Sequence, residues 1–310
     1  MKTCQPPDPN PRAPSFALPP GACDSHCHVF GPGDVFPYHP KRSYTPPDAP
    51  REALAGLHAT LGLDRAVIVQ ATCHGDDNRA MLDAIARSEG RYRGVAMIGD
   101  SIADAELEAL HEGGVRGARM SFARHLSGPP DFSRVERVAR RIAPLGWHLV
   151  LYLEAEDVVE NAQALGRLGV PVVIDHMARV RVADGLDQPA FRQLLDFLRD
   201  ADFWVKISCA ERLSATGPPF DDVVPFAAAL IDAAPDRVLW GTDWPHPNID
   251  GRMPNDGELT ELLLAYAPDE VPRRKILVDN PARLYGFDGY ASSGVKAASS
   301  APSSTRSPIA

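Results

Sequence analysis

The chain has 310 residues, 24 % of them charged and 44 % hydrophobic, enough for one large core or two modest ones. Its net charge of −9 excludes nucleic acid and an anionic membrane as main partners, since both demand a basic surface. No run approaches the roughly 18 apolar residues of a membrane span, Met1 to Pro20 lacks an apolar signal core, and the cysteines (Cys4, Cys23, Cys27, Cys73 and Cys209) are odd in number without zinc-finger spacing, so a reducing, cytoplasmic setting is expected.

Residues 1–20, rich in proline, read as an N-terminal arm that packs in extended form or stays mobile, without a catalytic part. Residues 291–310, rich in Ser and Ala, read as a flexible tail. Between them, residues 21–290 alternate short apolar runs with longer amphipathic ones. The first predicted strand, Ala22 to Val29, is followed by a helix from Pro50 to Leu61. Next come a strand from Arg65 to Ala71, a helix from Asp76 to Ser88, a strand from Tyr92 to Ile98 and a helix from Asp104 to Glu112. The pattern continues through strand Val115 to Phe122, helix Phe132 to Pro144, strand His148 to Leu153 and helix Asp157 to Leu168. It closes with strand Val170 to Met177, helix Gln188 to Asp200, strand Phe203 to Cys209, helix Phe220 to Ala233 and strand Arg237 to Thr242. These strands lack the strict alternation of a sheet wetted on one face, so both faces should be buried. About eight strand-helix alternations over about 250 residues specify a single-domain α/β fold, the (β/α)8 TIM barrel. A doubly wound sheet would want a Gly-x-Gly-x-x-Gly turn after its first strand, and none is there.

Barrel active sites gather at the C-terminal ends of the strands. The first strand carries Asp24-Ser25-His26-Cys27-His28, and because i and i+2 share a face, His26 and His28 stand together with Asp24 extending the row. Such a pair can hold a metal or polarise a carbonyl oxygen. Thr72 and His74 follow the second strand, Arg119 and Arg124 the fourth, Tyr152 and Glu154 the fifth, Asp175 and His176 the sixth, Arg212 the seventh, Asp243 and His246 the eighth. Histidines, an aspartate and arginines at separate strand ends imply one shared site.

At these residues the chain resembles the amidohydrolase superfamily, through Asp24-Ser25-His26-Cys27-His28, Asp175-His176 and Gly241-Thr242-Asp243-Trp244-Pro245-His246. Within it the chain looks most like the 2-pyrone-4,6-dicarboxylate lactonases, through His26 to Pro32, Tyr38-His39-Pro40, Arg42-Ser43-Tyr44, Gly117-Ala118-Arg119 and Ile174 to Arg179. The resemblance implies a cytoplasmic hydrolase of aromatic catabolism that opens a dicarboxylate lactone to an oxalomesaconate-type acid, as a monomer or homodimer. Asp243 would be the base that activates water, and His26, His28 and His176 would polarise the lactone carbonyl. Arg119 and Arg124 would hold one carboxylate and Arg212 the other, with Tyr44, Thr72 and Tyr152 adding hydroxyl contacts.

No metal is expected: the fifth strand offers Tyr152 where a zinc site wants histidine, and the fourth offers Arg119 in place of a bridging lysine or glutamate. A zinc alternative would use His26, His28 and Asp243. Other readings are a lactonase acting on a sulfonated muconolactone or sugar-acid lactone, and a zinc-dependent decarboxylase of the same superfamily. Arg179, Arg181, His74 and His246 are neighbours without an assigned role.

Overall fold

The computed structural model describes residues 2–124, 126 and 131–287; the predicted tail, 291–310, lies outside them. Eight parallel strands, numbered first to eighth, run in sequence order: Cys23–Cys27, Arg65–Val69, Tyr92–Ala96, Val115–Ser121, His148–Tyr152, Val172–Ile174, Phe203–Lys206 and Val238–Leu239. Parallel ladders join each to the next, and the gap between eighth and first is closed by single backbone bonds. Ser25 donates to the Trp240 carbonyl (2.9 Å), Asp243 to that of His26 (2.7 Å) and His28 to that of Trp244 (2.8 Å). The chain is a single-domain (β/α)8 barrel.

Burial on both faces, as the sequence pattern required, appears as two concentric cores. Val67, Val69, Val95, Val150, Val173, Trp204 and Leu239 fill the barrel interior, and Tyr285 and Phe287 of the C-terminal segment join this inner cluster. The alternate residues, among them Ala66, Ile68, Leu149, Leu151 and Val205, pack outward in the shell that includes the helices. Such side chains contribute about 1.5–3 kcal/mol each when fully buried.

Helices Arg51–Leu61, Asp104–Glu112 and Phe132–Ile142 follow the predicted boundaries closely. The helix expected from Asp157 to Leu168 is two short ones, Ala155–Glu160 and Ala162–Leu165. They part at Asn161, whose side chain donates back to the Asp157 carbonyl (2.9 Å), the local competition by which asparagine interrupts helices. A further helix, Asp256–Tyr266, was not foreseen; Asn255 caps it by accepting from the Gly257 amide (3.1 Å). The N-terminal arm is bound to the barrel. Lys2–Thr3 pairs with Tyr44–Thr45, and Asn255 bonds both Arg12 N (3.1 Å) and the Asp8 carboxylate (2.8 Å).

Candidate active site

The site starts from a break in the first strand. Its pairing with the second shifts register between Asp24 and Cys27, and a bulge reverses the parity of the residues after it. Asp24 therefore does not extend the histidine row. Its carboxylate accepts from His26 N (3.0 Å), Thr242 N (3.0 Å) and the Thr242 hydroxyl (2.6 Å), and meets His58 Nε2 at 3.3 Å. Asp24 pins the barrel seam, and the histidines face the interior.

There they converge on Asp243. Its Oδ1 lies 3.3 Å from His28 Nε2, 3.5 Å from His26 Nε2 and 3.7 Å from His176 Nε2, and its Oδ2 takes a hydrogen bond from Arg212 Nη2 at 3.0 Å. Asp243 and the three histidines are buried, and Arg212 is nearly so. Burial pushes the Asp243 carboxyl up, but the Arg212 guanidinium and the histidines outweigh it and hold the group well below the usual carboxylate range.

The outer nitrogen of each imidazole decides what its inner nitrogen offers. His28 Nδ1 meets the Val69 carbonyl at 2.7 Å; a carbonyl only accepts, so Nδ1 carries a proton, and the other nitrogen, Nε2, faces the Asp243 carboxylate at 3.3 Å. His176 Nδ1 sits between the Ser208 hydroxyl (2.8 Å) and the Cys209 thiol (3.1 Å), both able to donate, while Nε2 faces the Asp243 carboxylate (3.7 Å), which only accepts; together these favour the proton on Nε2. Burial drives His176 down to about 4, so it is neutral near pH 7.

A second charged group lies deeper. Lys206 Nζ is 3.1 Å from Asp175 Oδ1 and 2.9 Å from His26 Nδ1, and Arg119 Nη2 is 3.4 Å from Asp175 Oδ2. Arg119 also donates to the Gln70 carbonyl (3.2 Å) and lies over the Tyr152 ring.

The backbone around these groups is unusual. Nine of the ten non-glycine residues with positive φ among the described residues lie after the sixth, seventh and eighth strands: His176 to Arg179, Cys209, Phe220, Asp243, His246 and Asn248. The left-handed region costs roughly 1–2 kcal/mol per such residue, and strain of this kind concentrates at functional sites. It explains why the sixth strand stops at Ile174, three residues short of the predicted end.

Above Asp243, Tyr44, Thr72, Arg119, Tyr152 and Arg212 line a narrow inner chamber with His28 and His176. It shares Tyr44, Arg212 and Asn248 with an outer cavity of about 480 Å³, where Arg179 adds a guanidinium and Lys2 pairs with Asp250. The structure thus brings together every predicted site residue except Arg124. That side chain is 55 % exposed and neutralised by Glu154, Glu156 and Asp157 at 3.2–3.8 Å.

Across residues 23–287 the sequence matches the amidohydrolase family model. The chain belongs to the amidohydrolase family. It is 50 % identical over 285 residues to the 2-pyrone-4,6-dicarboxylate hydrolase of Comamonas testosteroni, covering 89 % of this chain and 93 % of that one. It is 44 % identical over 274 residues to the 4-sulfomuconolactone hydrolase of Hydrogenophaga intermedia, covering 87 % and 90 %. A solved structure from Acinetobacter baumannii, named for 2-pyrone-4,6-dicarboxylic acid hydrolysis and holding citric acid, shares 25 % identity with a TM-score of 0.75, over 86 % of this chain and all of that one.

His26, His28 and Asp243 place three ligand atoms within 4.8 Å of one another, as a metal site would. The charges around them oppose it. Asp243 Oδ2 is already paired with Arg212 at 3.0 Å, and Asp175 lies between Lys206 at 3.1 Å and Arg119 at 3.4 Å, so a divalent ion would be buried among three fixed cations. Lys206 also donates to His26 Nδ1, which puts a proton on the nitrogen a metal would need.

Lys206 is the residue that sequence reading of this amidohydrolase missed. The available signal was a lysine inside a strand predicted to be buried on both faces, where a charge must be paired. Of the neighbours without a role, Arg179 donates to the Tyr152 hydroxyl (2.7 Å) and lines the outer cavity. His74 accepts from Gly31 N and packs on Tyr38, a structural part. Arg181 is exposed between Glu156 and Asp184, and His246 is buried against Asp256 at 3.0 Å.

Proposed function

We propose that this amidohydrolase opens 2-pyrone-4,6-dicarboxylate to the open-chain, oxalomesaconate-type acid, without a resident metal. The observation that carries the reading is the convergence of three imidazoles and one arginine on Asp243 at the floor of a cationic chamber. Asp243 takes a proton from water as the oxygen attacks the lactone carbonyl carbon. The oxyanion that forms accepts hydrogen bonds from His26 and His176, donors of a kind worth about 10²-fold or more each. The ring C–O bond then breaks, and the departing enol oxygen receives the proton from Asp243.

Arginine–carboxylate pairing holds the substrate, with Arg119 and Arg212 on the chamber wall and Tyr44, Thr72 and Tyr152 beside them. The Thr72 hydroxyl is buried on the chamber wall beside that of Tyr44, with which it makes a hydrogen bond, so the two present a paired polar edge to the chamber. The leaving enol and the cations around Asp243 support a metal-free reaction. All five cysteines are unpaired, in keeping with a cytoplasmic enzyme. Among the described residues no helix is long and apolar enough to cross a membrane.

The test is to incubate the protein separately with 2-pyrone-4,6-dicarboxylate and 4-sulfomuconolactone, following ring absorbance and carbon dioxide. Faster loss of the pyrone without carbon dioxide supports the reading. Preference for the sulfonate, or release of carbon dioxide, contradicts it.

A further inference from the structure

We infer that Lys206 is a positioning residue for His26: its ammonium donates to Nδ1, fixes the imidazole proton on Nε2 and so aims that N–H at the place of the lactone carbonyl. The inference deepens the lactone reading and rests on it for its catalytic consequence. Lys206 is fully buried on the inward face of the seventh strand, in step with Trp204 and Ser208. An ammonium has no lone pair, so the 2.9 Å contact with Nδ1 has one polarity, lysine to histidine. Asp175 Oδ1 lies 3.2 Å from the same nitrogen and 3.1 Å from the Lys206 ammonium, whose counter-ion it is, so lysine and carboxylate compete for Nδ1 and the shorter contact is the lysine's. The inner nitrogen, Nε2, is buried with no hydrogen-bond partner among the described residues and lies 3.5 Å from Asp243 Oδ1, free to turn its N–H to an arriving oxygen. Burial first, and the neighbouring ammonium second, keep the ring neutral, so a single proton has to be placed.

Without Lys206, Asp175 is the obvious acceptor for Nδ1–H, and the tautomer reverses. The ring would then show the substrate oxygen a lone pair, which repels it. Lys206 thus acts through His26, touching no reacting atom itself.

The experiment is nitrogen NMR of the protein labelled with ¹⁵N-histidine, His26 being the ring lost in His26→Gln. In the wild type His26 should carry its proton on Nε2. In Lys206→Met it should move to Nδ1 or protonate at both nitrogens, with kcat on the pyrone falling about 10²-fold and KM within about threefold. Lys206→Gln, which retains an N–H donor, should keep the Nε2–H form and most of the activity. A wild-type ring protonated on Nδ1, or a Lys206→Met ring unchanged from wild type, would overturn the inference. Should Lys206→Met not fold, the wild-type and Lys206→Gln spectra decide. The spectra need no substrate: an Nε2–H ring in a protein that leaves the pyrone intact would refute the lactone reading and leave the positioning standing.

Discussion

Asp243 and Arg119 separate the two tasks of the site. Asp243→Asn keeps the shape but removes the proposed base, so kcat should fall by about 10³-fold or more with KM changed only a few-fold. Arg119→Met removes a chamber-wall cation above the reacting centre, so KM for the dicarboxylate should rise about tenfold or more with a smaller loss in kcat. Steady-state kinetics on the same lactone check both, and near-normal turnover by Asp243→Asn would dispose of the base assignment. At this scale the sequence was informative where a residue type is rare at a strand end, as with His26, His176 and Asp243. It misled on Arg124, expected on a substrate carboxylate beside Arg119, because that side chain sits in the expected loop but is claimed by three acids. Lys206 was hidden, because its partner His26 is 180 residues away.

At the scale of elements, the seam between eighth and first strands positions the base against the histidines. Gly241 lies where a Cβ would come within 2.4 Å of His26 N and 2.7 Å of its Cβ. Gly241→Ala should therefore push the two strands apart, costing about 1–3 kcal/mol of stability and displacing His26 from Asp243. Gly56, inside helix Arg51–Leu61, has open space around it, and Gly56→Ala should raise stability by about 0.4–1 kcal/mol. Urea unfolding of the two variants measures the contrast. Strand order was legible because buried parallel strands leave long apolar runs. The parity change at Asp24 was not, since a bulge depends on the partner strand. Nor was the place of Lys2 at the cavity mouth, which depends on the arm pairing with Tyr44–Thr45.

For the whole molecule, the buried histidines link folding to pH. His26, His148 and His176 are all held below the ordinary histidine value, with burial the largest cause; His148 falls to about 3 and His176 to about 4. The unfolded chain takes up these protons near pH 6.5 and the native chain does not, so stability is full above that pH and declines as the pH falls below it. Each such histidine removes on the order of 2 kcal/mol between pH 7 and 5. His246, raised by Asp256 against the effect of burial, works in the opposite direction. The urea midpoint should therefore drop clearly from pH 7 to pH 5, and a flat profile would contradict neutral imidazoles at the site. The same neutral rings, with their protons fixed by neighbours, underlie the proposed chemistry. Its most direct test is hydrolysis of 2-pyrone-4,6-dicarboxylate by protein stripped with a chelator and checked for metal content. The account predicts full activity that added zinc does not increase, whereas activity lost on stripping and restored by zinc would contradict it.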